Sequence, residues 1–170
     1  ADRYLNTYPQ GTHRQEILIL RLNALIIEGQ LSKAQALLPS PLPLNDQLQT
    51  IAATLSFQTD RYEETLSYIQ NISAEKRDMA PDLILMEAES LFQTGDMGGS
   101  EKAYSRLKEK AYHFEQVHYR LAQIELGRGN TENALKLFRQ IVDKGENSLW
   151  KRYAEKELEY VQTTDRLQQR

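Results

Sequence analysis

Leu121-Ala122-Gln123-Ile124-Glu125-Leu126-Gly127-Arg128-Gly129-Asn130-Thr131-Glu132-Asn133-Ala134-Leu135-Lys136-Leu137-Phe138 is the stretch that decides the fold. Apolar residues recur at three- and four-residue spacing on both sides of Gly127-Arg128-Gly129-Asn130, which reads as two helices and a tight turn. The helices are expected over Phe114 to Leu126 and Glu132 to Val142. Gly129 or Asn130 supplies the positive φ that such a turn requires. Ala122 and Ala134 are small, so the two helices can approach closely.

The same pattern recurs upstream. Gly29-Gln30-Leu31-Ser32-Lys33-Ala34, Asp60-Arg61-Tyr62-Glu63-Glu64-Thr65 and Gly98-Gly99-Ser100-Glu101-Lys102-Ala103 align with Gly129-Asn130-Thr131-Glu132-Asn133-Ala134. In this register the small residues are Ala34, Thr65, Ala103 and Ala134, at spacings of 31, 38 and 31 residues (34 to 65, 65 to 103, 103 to 134). Their partners twelve residues earlier are Leu22, Ala53, Leu91 and Ala122. The third turn reads as about three residues longer, and Ala88 fits the small position there better than Leu91. Leu38, Ile69, Leu107 and Phe138 are expected to fill the space between units. A lone helix pair cannot bury both faces, so repeated pairs stack.

The other helices follow from the same period. They are expected at Thr12 to Glu28, Ser32 to Leu38, Asp46 to Thr59, Tyr62 to Ile72, Pro81 to Thr94, Ser100 to Ala111 and Leu149 to Leu167. The first of them is apolar nearly all round and demands neighbours on several sides. Pro39-Ser40-Pro41-Leu42-Pro43 is a stiff connector. Tyr4, Leu5 and Tyr8, followed by Pro9 and Gly11, read as the end of a helix. With no Met at position 1, an excised piece or a processed mature chain is expected.

On these residues the chain resembles the tetratricopeptide repeat (TPR) superfamily, in the degenerate form found in bacterial multi-repeat proteins. The resemblance spans about Thr12 to Gly145. It implies an all-α, right-handed superhelical solenoid of helix-turn-helix repeats with a C-terminal capping helix. The expected divisions of this one repeat domain are 1–11 (end of a preceding helix), 12–45, 46–80, 81–112 and 113–145 (four repeats) and 146–170 (capping helix). Tyr8-Pro9-Gln10-Gly11 is also similar to unit ends in TPR lipoproteins of outer-membrane assembly.

Composition excludes several chemistries. Of 170 residues, 40% are hydrophobic and 26% charged, too apolar for a disordered chain. A net charge of -3 argues against a nucleic-acid or polybasic membrane binder. With no cysteine there is no disulfide, thiolate metal site or Cys nucleophile. The most apolar stretch, Ile17 to Ile27, is interrupted by Arg21 and Asn23 and is shorter than the ~20 residues of a membrane span.

No catalytic constellation emerges. His113 and His118 are five apart and diverge on a helix, so they do not make a metal pair. Gly95-Asp96-Met97-Gly98-Gly99-Ser100 lacks the Lys-Ser or Lys-Thr of a phosphate loop and reads as an inter-helix turn. Glu63-Glu64 and Glu155/Glu159 read as solvated helix partners of nearby cations. Trp150 and Tyr153 are expected to pack the last helix onto the fourth unit. The chain is therefore expected to be no enzyme and to need no metal or cofactor.

The resemblance implies that the first helices of successive units line a concave binding groove. The helical period places Asn23, Gln47, Thr50, Thr54, Gln58, Glu89, Gln93, Tyr119, Arg120, Gln123, Lys151 and Arg152 there. Such a groove is neutral and amide-rich at one end and basic at the other, and suits a peptide or partner protein. Burial of Tyr119 and Arg120 would contradict it. The carboxylate-clamp mode of the superfamily finds Asn23 in place, but Ile19, Ile51, Asp82 and Met86 at its other positions make no cationic clamp. The apolar first helix is a further expected interface, covered by more repeats or by self-association. The expected function is a protein-interaction scaffold. The alternative is a structural or assembly component of the bacterial cell envelope, serving as a spacer or a polymer-binding module. The sequence leaves the compartment open, with the bacterial periplasm or cell envelope favoured over the cytoplasm.

Overall fold

A computed structural model describes residues 2–8, 11–146 and 148–168. Among the described residues there are eleven α-helices and no strand. They are α1 (Asp2–Thr7), α2 (Arg14–Ile27), α3 (Leu31–Leu37), α4 (Asp46–Gln58), α5 (Tyr62–Gln70), α6 (Ala74–Met79), α7 (Pro81–Gln93), α8 (Met97–Glu109), α9 (Phe114–Gly127), α10 (Thr131–Lys144) and α11 (Leu149–Gln168). None is long and apolar enough to cross a membrane. Pro9 and Gln10, part of the expected stop after the first helix, lie outside the described residues.

The chain divides into two compact units, residues 1–95 and 96–170. In the first, α2 packs on α3, α4 on α5, and each pair on the first helix of the next: α2 and α3 on α4, α4 and α5 on α7. In the second, α9 packs on α10, and both pack on α11, while α8 packs on α9. Adjacent packed helix pairs of this kind are compatible with a helical repeat fold.

Four turns share one geometry. Gly29, Asp60, Gly95 and Gly129 have φ of 71°, 56°, 88° and 80°. Each donates its N–H three residues back, to Ile26, Phe57, Phe92 and Leu126. Gln30, Arg61 and Asn130 then donate five residues back, to Leu25, Ser56 and Glu125. These bonds satisfy orphan carbonyls at the ends of the first helices, as a pair in three turns and singly at Gly95. Asp60 takes the left-handed conformation without being Gly, and its carboxylate accepts a 2.7 Å bond from the Tyr62 hydroxyl.

This geometry corrects the expected register of the third turn. Helix α8 begins at Met97, so Gly98 and Gly99 are helical and the turn is no longer than the others. Asp96 makes this possible by accepting a 2.9 Å bond from the Gly99 N–H as N-cap. Five residues after each positive-φ residue stand Ala34, Thr65, Ser100 and Ala134, all fully buried. Seven before stand Leu22, Ala53, Ala88 and Ala122, also fully buried. Ser100 therefore replaces Ala103, Ala88 replaces Leu91, and Tyr104 replaces Leu107 as the counterpart of Ile69 and Phe138. The spacings become 31, 35 and 34 residues (34 to 65, 65 to 100, 100 to 134).

Helix α6 departs from the expected plan, in which residues 73–80 only link two helices. Its residues Glu75, Lys76, Arg77 and Asp78 are charged, so no apolar period announces it. Asp46, at the start of α4, anchors its entry. One carboxylate oxygen accepts the Ser73 N–H at 3.0 Å and the other accepts the Ser73 hydroxyl at 2.6 Å. These bonds hold the Asp46 carboxyl below its usual range, with a smaller contribution from the Lys76 charge.

The core of the first unit joins Leu18, Leu22, Leu25, Ala34, Leu48, Ile51 and Leu55. That of the second joins Tyr119, Ala122, Ala134, Phe138, Ile141 and Ala154, with Trp150 and Leu158 against it. Helix α2 does not bury its whole circumference: Leu20 and Ile27 are 67% and 86% exposed.

Candidate functional site

In the first unit, α2, α4 and α6 surround a hollow of about 160 Å³. Ile19 and Asn23 come from α2, Gln47, Thr50 and Ile51 from α4, and Lys76 from α6. Three of the expected groove residues, Asn23, Gln47 and Thr50, thus meet at one place. Ile19 and Ile51 give the hollow an apolar side. The Thr50 hydroxyl donates to the Asp46 carbonyl at 2.7 Å, and Thr54 donates to Thr50 at 2.9 Å. Their oxygens therefore offer lone pairs to a ligand, and the donors left are Asn23, Gln47 and Lys76. Thr54 and Gln58 lie further along α4, half-buried and exposed.

Glu89 departs from the expectation of an open groove residue. It is 7% exposed, between the fully buried Ala88 and Ser90. Helix α7 has α4, α5 and α6 packed around it, so its covered face is wider than one stripe. The Glu89 carboxylate accepts a 3.1 Å bond from exposed Gln93.

In the second unit, Tyr119 is likewise not an open groove residue. It is 7% exposed, and its ring centroid is 5.5 Å from both Phe138 and Trp150 and 5.9 Å from Tyr153. Two helices, α10 and α11, close over that side of α9, whereas a simple helix pair would cover it from one side only. The Tyr119 hydroxyl donates to Glu157 at 3.3 Å. Burial pushes its pKa up, and the neighbouring Glu157 charge pushes it in the same direction.

Arg120 remains half-exposed. Its guanidinium stands 5.7 Å from the Trp150 ring centroid and donates to Gln123 at 2.8 Å. Lys151 turns back to the Gly145 carbonyl at 3.3 Å, while Arg152 is exposed on α11. The basic part of the expected surface thus comprises Arg120 with Gln123 beside Trp150. Trp150 and Tyr153 meet edge to face at 6.1 Å and pack α11 onto the α9–α10 pair.

The histidines are separately engaged. His118 is buried, with Nδ1 donating to the Phe114 carbonyl at 2.8 Å and its ring 4.0 Å from the Phe114 ring. Burial lowers its pKa from the ordinary 6.5, and Lys108 and Lys144 add to this against the opposing bond to Phe114. The folded state therefore takes up the proton less readily than the unfolded chain. Stability is full above about 6.5 and is lost as pH falls through the depressed folded-state pKa. A His118→Phe variant is expected to lose less stability than the parent between pH 7.5 and pH 5. Urea unfolding of both proteins across that range measures it, and parallel curves would contradict it.

Lys76 is the residue that sequence reasoning missed. It lies on a helix with no apolar stripe, outside every expected first helix. The available signal was Ser73 followed by a short charged run and Pro81, which together mark a helix start and stop. No family model matches this chain, and no curated protein or solved structure matches it.

Proposed function

We propose that this chain is a non-catalytic interaction module of the TPR type, whose helix pairs continue one another as a right-handed superhelical solenoid. It binds an extended peptide or partner segment on the first helices of its pairs. The single observation that supports this reading is the hollow at α2, α4 and α6. There the Asn23 and Gln47 amides have no hydrogen-bond partner among the described residues and stand beside the apolar Ile19 and Ile51. Exposed amides of this kind offer a donor and an acceptor to a peptide backbone, and the isoleucines offer contact to its side chains.

The test is affinity capture with the immobilised chain, using soluble and envelope fractions of the source cell separately. A control carries Asn23→Ala with Gln47→Ala, both at exposed positions, and circular dichroism checks that it is folded. A protein retained by the parent and lost from the control is the expected result. Retention of the same proteins by both, or of none, would overturn the assignment. Arg120→Ala, run alongside, asks whether the surface of the second unit contributes.

A further inference from the structure

The geometry points to a peptide carrying an acidic side chain as the ligand of the α2–α4–α6 hollow, with Lys76 receiving the carboxylate. This rests on the peptide-binding reading above and adds the chemistry that selects the peptide. The first helices of the unit bring Ile19, Asn23, Gln47, Thr50 and Ile51 to the hollow, and none of these carries a charge. Helix α6 brings the one charged group that lines it.

Lys76 is exposed, and its ammonium forms no hydrogen bond or ion pair within the described residues. Lys76 acts through its charge on Asp46, whose two oxygens each accept a bond from Ser73. The Asp46 charge offsets part of the attraction for an anion, and each of its oxygens already accepts one bond from Ser73. Asn23 and Gln47 add N–H donors that a carboxylate or a peptide carbonyl can accept. A carboxylate placed here gains a charge-assisted bond from Lys76 and amide bonds beside it.

A second hollow, of about 440 Å³, adjoins on the other side of Lys76 and is lined by Asp46, Ser73, Glu75, Lys76, Met79 and Ala80. Lys76 therefore stands between two surfaces that each offer apolar contact, Ile19 and Ile51 on one side and Met79 and Ala80 on the other. Met79 is 76% exposed and free to cover an incoming side chain. An acidic residue with aliphatic neighbours on both sides matches this order. Glu75 and Asp46 disfavour a second acid next to the first.

The experiment screens the full chain against a positional-scanning library of acetylated, amidated hexapeptides, which lack terminal charges. Binding of the best acidic sequence, its Gln counterpart and the Gln counterpart with a free C-terminal carboxylate is then followed by amide NMR. The acidic peptide is expected to bind about 1.4- to fivefold tighter than its Gln counterpart, the range for a solvent-exposed pair, and to shift the Asn23 and Gln47 side-chain amides. Lys76→Gln is expected to remove that preference, so that the acidic peptide and its Gln counterpart bind alike. Equal binding of Glu and Gln peptides at Asn23 and Gln47 would overturn the acidic assignment and leave the peptide-binding surface standing. Tighter binding of the free C-terminal carboxylate than of the acidic side chain would also overturn it. Shifts confined to Arg120, Gln123 and Trp150 would move peptide binding to the second unit. No binding by any peptide would overturn both.

Discussion

Phe138→Ala is expected to destabilise the protein by about 3–5 kcal/mol, the range for truncating a fully buried aromatic side chain. Phe138 has no exposed surface and lies 5.5 Å from the Tyr119 ring, inside the cluster that also holds Ala122, Ala134, Ile141 and Ala154. Its removal leaves a cavity where α9, α10 and α11 meet. Three of the cluster positions around it, Ala122, Ala134 and Ala154, are alanines, whose side chains are too short to swing into the gap. Against a typical domain stability of about 5–15 kcal/mol, this is a large share. Urea unfolding followed by circular dichroism gives the magnitude. Trp150, the one tryptophan, gives the location through its emission, because it packs on the same Tyr119 ring. Arg139→Ala, at an exposed position of the same helix, serves as control and is expected to change stability by about 0.5 kcal/mol or less. A cost for Phe138→Ala as small as the control's would show that this cluster is not the core of the unit.

Ala122→Leu is expected to cost about 1–3 kcal/mol through overpacking. Ala122 is fully buried in one cluster with Ala134, the small residue at the matching position of α10. The added carbons have no free space between two helices that close on alanine from both sides. Leucine does occur at the equivalent position of the first unit, where Leu22 shares a cluster with Ala34. The difference lies in the partner helix. Helix α3 has 7 residues and can tilt away as a short body, whereas α9 and α10 each have 14 and pack along their length. A gain of the leucine without loss of stability would mean that the α9–α10 spacing is not set by these alanines. Ala122→Gly separates packing from backbone effects, since it removes bulk and is expected to cost about 1 kcal/mol by helix propensity alone.

Much of the fold was legible because its determinants are local. The apolar period placed ten of the eleven helices. Glycines at positions 29, 95 and 129 marked three of the four turns within the helix pairs, and Asp60 marked the fourth, while the positive φ of Ala111 and His113 carried no such signal. The third turn misled because Gly98-Gly99 carries a stronger turn signal than Gly95 alone. The capping carboxylate of Asp96 outweighs that signal by giving the first turn of α8 a partner for an orphan N–H. Ala88, flagged by its size, took the position that the true register assigns to it. Helix α6 escaped because a six-residue charged segment has no apolar period, and it is fixed by Asp46, 27 positions earlier.

The candidate site was legible only in part. Asn23, Gln47 and Thr50 were on one surface because each follows from the period of its own helix. Tyr119 and Glu89 have the same helical credentials, yet both are buried. What separates the two groups is how many helices pack against each face.

The amino-acid order by itself determined an all-helical chain, its close helix pairs and the small residues that let them approach, because period, caps and turn conformations act within a helix or across one turn. The tertiary structure alone decided that Tyr119 and Glu89 are covered, that Leu20 and Ile27 are not, and that Lys76 joins Asn23 and Gln47. Those outcomes depend on contacts between segments far apart in the chain, where burial is set by the number of neighbours and not by any pattern along one helix.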